Sequence, residues 1–89
     1  MLARVATFDP LPEGLDPEAV ALLRKTIRET PGFVAGYHVG AAGRKSLSIT
    51  FFEDADAARA AGAALAARPA DGRVGIEPDQ VEFFDAEPF

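Results

Sequence analysis

The spacing of apolar and polar positions divides the chain into short segments of two periods. Leu2 to Phe8 is rich in β-branched, aromatic and small residues and stops at Asp9-Pro10, a turn signal, which predicts a first strand. Pro10 to Leu15, with Pro12 and Gly14, is a loop. Asp16-Pro17-Glu18 then offers a capping acceptor, a proline for the first helical position and an acidic second residue. Val20, Leu23 and Ile27 recur at helical spacing, flanked by Ala19 and Leu22, while Arg24, Lys25, Arg28 and Glu29 mark the wet side. Pro31-Gly32 ends this helix near Thr30.

Phe33 to Val39 reads as a second strand, weakened by Gly36, and residues 40–45 as a hairpin connection. Ser46 to Glu53 carries the clearest alternation, with Leu47, Ile49 and Phe51 against Ser48, Thr50 and Phe52. Asp54 or Asp56 can cap a second helix that runs to about Arg68 and is stopped by Pro69, its inward stripe being Ala58, Ala61 and Leu65. Val74 to Glu77 reads as a short extended piece, and Gln80 to Asp85 as the last strand. The order strand–helix–strand–strand–helix–strand is that of an α+β, ferredoxin-like βαββαβ domain. It implies a four-stranded antiparallel sheet with two helices on one face.

In such a sheet the uncovered face usually reads as polar. Here Phe51 and Phe52 are neighbours in sequence, as are Phe83 and Phe84, so each pair points to opposite faces. Both faces then carry large aromatics, and the chain has no third helix for the second face. A second copy of the same sheet is the expected cover, which predicts a homodimer.

Composition narrows the chemistry. The chain is 89 residues long, enough for one domain whose core alone is marginal. It contains no cysteine, which removes disulfides and thiolate chemistry, and one histidine, His38, which cannot build a zinc site by itself. A net charge of −5 with no basic stripe argues against nucleic acid. No apolar run reaches the ~18 residues of a membrane span, and Met1-Leu2-Ala3-Arg4 does not open a leader peptide. A cytoplasmic protein without membrane partners is the expectation.

Several stretches together resemble one family. They are Ala3-Arg4-Val5-Ala6-Thr7-Phe8, then Pro31-Gly32-Phe33 directly after the first helix, and Leu47-Ser48-Ile49-Thr50-Phe51-Phe52-Glu53-Asp54 leading into the second. Over nearly its whole length the chain is similar to antibiotic biosynthesis monooxygenase-like domains of the dimeric α/β-barrel superfamily. That superfamily includes cofactor-free oxygenases of aromatic polyketides, haem-degrading oxygenases, small isomerases and members without an assigned role. The resemblance implies two sheets meeting across a two-fold axis, a mostly apolar pocket between sheet and helices in each subunit, and no cofactor. Oxygenases of the family carry an asparagine and a tryptophan in the third strand, at positions that resemble Ser48 and Phe52. This chain has neither residue type anywhere. Haem degradation in the family uses a histidine in the second helix, where this chain has alanines and Arg59.

His38 is the natural acid–base candidate, because an imidazole titrates near neutrality, and Ser48 is a second catalytic candidate. Tyr37, Thr50, Phe52 and Arg73 are the candidates for holding a ligand. Tyr37 and His38 are adjacent in a strand, so one of them faces the helices and the other does not. Ser48 and Thr50 are either convergent pocket groups or solvent-side positions. For Arg4, an ion pair with Glu82 on a neighbouring strand is the simpler expectation, and a carboxylate ligand the alternative. Two functions follow: a cofactor-independent oxygenase or isomerase acting on an aromatic or polyketide-like molecule, or a non-catalytic dimer that binds a small apolar or aromatic ligand or serves as an accessory unit.

Overall fold

The computed structural model describes residues 1–67 and 77–89. Its elements run β1 (Leu2–Phe8), α1 (Pro17–Arg28), β2 (Phe33–Val39), β3 (Ser46–Phe52), α2 (Ala55–Ala66) and β4 (Gln80–Asp85). The strands form one antiparallel sheet in the order β2-β3-β1-β4, the ferredoxin-like arrangement read from the sequence. The extended piece expected at Val74 to Glu77 falls almost wholly outside the described residues, as does Arg73. No helix of the described residues is long and apolar enough to cross a membrane.

Local chemistry sets the helix ends. Asp16 caps α1 by accepting the Glu18 N–H at 3.1 Å, with Pro17 at the first position and Lys25 and Arg28 at the negative end of the dipole. Of the two caps the sequence allowed for α2, Asp54 serves: its Oδ1 accepts the Ala57 N–H at 2.9 Å. Asp56 instead pairs with Arg59 on the exposed side of the first turn. The second helix ends at Ala66, slightly ahead of the expected stop near Arg68.

The Pro31-Gly32-Phe33 turn ties α1 to α2. Gly32 has φ +89°, and a Cβ built there would lie 2.5 Å from the Ala57 Cβ. Only glycine allows both that backbone conformation and the approach of α2. The Gly32 carbonyl also accepts the Glu53 N–H at 2.8 Å, which fixes the exit of β3 beside the start of β2.

Register sorts the side chains. Residues opposite one another share a face, so Phe33, Phe52 and Leu2 form one row, followed by Gly36, Thr50, Arg4 and Phe83, and then His38, Ser48, Ala6 and Val81. This is the inner face, against which both helices pack. Phe52 is its anchor: it is 1% exposed, packs among Ala57, Ala58 and Ala61, and meets Phe33 edge-on with ring centroids 6.1 Å apart. The small side chains of α2 let the helix settle directly on this ring. From α1 the stripe Val20, Leu23 and Ile27 is half-buried as its spacing predicted, and Ile27 reaches the Phe52 cluster.

The outer face carries Phe51, Ala3 and Phe84, then Tyr37, Ile49, Val5 and Glu82, then Val39, Leu47 and Thr7. Phe51 and Phe52 therefore diverge, as do Phe84 and Phe83. Tyr37, Val39 and Phe84 are exposed here, and Tyr37 leans edge-on against Phe51.

Candidate inner-face site

Four alternate residues of β3, Ser46, Ser48, Thr50 and Phe52, point toward the helices, because a strand sends every second side chain to one side. The same parity brings His38 from β2 and Arg4 from β1 to that side. The choice the sequence left open between Tyr37 and His38 is thereby decided. His38 faces inward with Ser48, and Tyr37 stands on the outer face, 63% exposed, away from the other candidates. Ser48 and Thr50 are inner-face groups rather than solvent-side ones. Of the residues expected to gather at a site, the structure brings together His38, Ser48, Thr50 and Phe52.

His38 and Ser48 are directly coupled, with Nδ1 and Oγ 2.8 Å apart. The other ring nitrogen, Nε2, is buried and has no hydrogen-bond partner among the described residues. Burial lowers the His38 pKa, and the Arg24 guanidinium on α1 lowers it further, so the neutral imidazole prevails near pH 7. A neutral ring presents one donor and one acceptor nitrogen. When Nδ1–H donates to Ser48, Nε2 is a base; when Ser48 donates to Nδ1, Nε2 carries the proton. The couple can thus hold a proton at either end of the imidazole.

Further along the sheet, the hydroxyl of Thr50 is buried and unpartnered, as is that of Ser46. Arg4 lies beside Thr50. The expected Arg4–Glu82 ion pair does not form. Register places Arg4 opposite Phe83 and Glu82 opposite Val5, so the two side chains leave the sheet on opposite faces. Assigning them to neighbouring strands was sound, but the pairing offset between β1 and β4 was not readable from either strand alone. Arg4 makes no ion pair or hydrogen bond among the described residues, and burial lowers its pKa. Sequence reasoning missed Arg4 as an inner-face group, although its parity with Thr50 follows once β1 and β3 are paired.

Arg4, Ile27, Thr50, Phe52, Ala61, Gly62 and Leu65 line a partly open cavity of about 10 Å³, which takes roughly one water molecule. Phe52 fills the space that a smaller residue would leave. Among the described residues no cluster of three or more His, Asp or Glu side chains is arranged to hold a metal ion.

No family model and no curated protein matches the chain. Solved structures do. A mutant of SnoaB, a cofactor-independent oxygenase from Streptomyces nogalater, superposes with a TM-score of 0.68 at 18% identity, covering 99% of this chain and 94% of that one. A mutant of MhuD with two manganese protoporphyrin IX bound per active site gives 0.63 at 17% identity, covering 94% and 90%. The monooxygenase ActVA-Orf6 of Streptomyces coelicolor, in complex with nanaomycin D, gives 0.59 at 17% identity, covering 99% and 88%. At these identities the likeness establishes a shared fold, that of antibiotic biosynthesis monooxygenase-like proteins, and the reaction has to be argued from the site.

Proposed function

We propose that this chain, which has the fold of antibiotic biosynthesis monooxygenase-like proteins, works as a homodimer. Each of its inner sheet faces would take a small aromatic or polyketide-like molecule for cofactor-independent oxygenation. The observation that carries this reading is the His38–Ser48 couple, with its second imidazole nitrogen buried and unpartnered on the face that packs against the helices. The fold it shares with SnoaB and ActVA-Orf6 supports it.

The chemistry needs a base and dioxygen. His38 Nε2 takes a proton from an acidic ring carbon of an anthrone-type substrate, and the electron pair of that C–H bond passes to dioxygen as a C–O bond forms. The resulting peroxide recovers the proton and loses water, leaving a carbonyl. One oxygen atom enters the product and the other leaves as water. A base with a depressed pKa is ready for this step at neutral pH. The exposed apolar outer face, with Phe84, Tyr37 and Val39, is the surface through which two sheets would meet.

Oxygen uptake with anthrone tests the reading. Turnover that falls at least about a hundred-fold in His38→Ala, and clearly in Ser48→Ala, is the expected result. No uptake by the unaltered protein removes the oxygenase reading.

A second reading, ligand binding without turnover, is favoured by two residues of the inner face. Ser48 and Phe52 resemble in position the asparagine and the tryptophan that oxygenases of this type carry. Serine lacks the amide's paired donor and acceptor, and phenylalanine lacks the indole N–H. Calorimetric binding of anthrone without oxygen uptake would favour this second reading.

A further inference from the structure

We propose that Arg4, with the Thr50 hydroxyl beside it, forms a subsite for a single carboxylate carried by a planar apolar molecule. The inference rests on the inner face being the ligand-bearing surface, and it does not require turnover.

Arg4 lies near the middle of the sheet, between Thr50 on β3 and Phe83 on β4, and points toward α2. A guanidinium partly withdrawn from water gains from a counter-anion, and buried charges are ordinarily paired. Among the described residues none pairs with it. Glu82 leaves the sheet on the outer face, and Asp85, on the inner face one step further along β4, makes no ion pair with Arg4. Thr50 is 9% exposed, and its Oγ1 has no partner. A fixed fork of N–H donors and one hydroxyl donor thus line the same small space.

The dimensions select the ligand. A cavity of about 10 Å³ receives one oxygen atom of a carboxylate, while a phosphate would bring more oxygens than one guanidinium and one hydroxyl can serve. The net charge of −5 also disfavours polyanions. Beyond the oxygen, the half-buried Ile27 and Leu65 offer apolar contact for a flat ring. The mouth is at Gly62 of α2, which is exposed and lines the cavity, and a Cβ built there meets nothing within 4 Å. A glycine inside a helix costs stability, and here it leaves the approach to Arg4 open.

The test is a titration of the whole chain, followed by two-dimensional NMR, with naphthoate and its shape-matched neutral amide, naphthamide, as probes. Naphthoate should bind at least about ten-fold more tightly, with the largest shifts at the Arg4 side-chain N–H and at Thr50. Arg4→Met should bring the two probes to the same Kd, and Arg4→Lys should keep part of the preference. Gly62→Leu, which leaves Arg4 in place, should weaken naphthoate by closing the mouth, and it decides the matter if Arg4→Met does not fold. Equal affinity for both probes, binding of neither at millimolar concentration, or a preference that survives Arg4→Met would overturn the subsite. Preference for naphthoate without anthrone turnover keeps the subsite and removes the oxygenase reading. Turnover without preference does the reverse.

Discussion

The inner and outer faces of the sheet are built from the same strands, and both carry phenylalanine, yet the helices cover only part of one of them: Phe52 is sealed, while Phe83 on the same inner face is 56% exposed. On the inner face Phe52 is sealed by alanines of α2, and the polar groups around it lose water without regaining every hydrogen bond. On the outer face Phe84 and Tyr37 remain half or more exposed, and the polar residues there, Thr7, Gln80 and Glu82, sit toward the β4 side. Burial of an aromatic stabilises the fold wherever it occurs. Burial of an unpartnered hydroxyl or imidazole nitrogen costs free energy, and a protein keeps such groups where something else uses them. The difference teaches that the helices leave unsatisfied polar groups beneath them on one face, while the other face keeps its large apolar side chains in water.

The sharpest way to break this contrast is to remove one ring from each face. Phe52→Ala should cost about 3–5 kcal/mol in urea unfolding, independent of protein concentration, because the cavity it leaves is enclosed by α2. Phe51→Ala should cost less in dilute solution and more as concentration rises, since the proposed dimer lends stability by mass action. Equal, concentration-independent costs would erase the distinction between the faces.

Next in size, Gly32→Ala tests what seats α2 on the inner face. A methyl group 2.5 Å from the Ala57 Cβ, on a backbone with positive φ, should lower stability by roughly 2 kcal/mol. A neutral result would mean that α2 can shift without loss. Gly62→Ala probes the mouth on the same helix and should act oppositely. The added Cβ meets open space, so unfolding should become harder by about 0.5–1 kcal/mol.

The smallest effect concerns pH. Folding lowers the His38 pKa, so the unfolded chain binds this proton more readily. The contribution is fully present above the unfolded value of about 6.5 and is lost as pH falls through the folded value. Stability should therefore decline on acidification through this range, and His38→Gln should flatten that slope. As this is the chain's one histidine, its NMR titration is unambiguous. A midpoint at or above the ordinary histidine value would contradict its burial beside Arg24.

Much of the fold was legible in the linear pattern because it depends on local rules. Alternation marks strands, an Asp-Pro-Glu start and a Pro-Gly stop bound α1, and consecutive phenylalanines must diverge. The candidate site was legible only as a set of residue types. Tyr37 and His38 are equally strand-compatible, and neither neighbour reveals which one turns inward.

By itself, then, the sequence determined the order of elements, the cap of α1, the apolar character of both sheet faces and the absence of thiol chemistry. These follow from periodicity and composition, which act over a few residues. Only the tertiary structure decided that His38 meets Ser48, that Arg4 parts from Glu82, and that Phe52 occupies the space under the helices. Each of those depends on how strands are offset against one another, and a shift of one residue sends every side chain to the other face. That offset is fixed by the packing of the whole sheet against its helices.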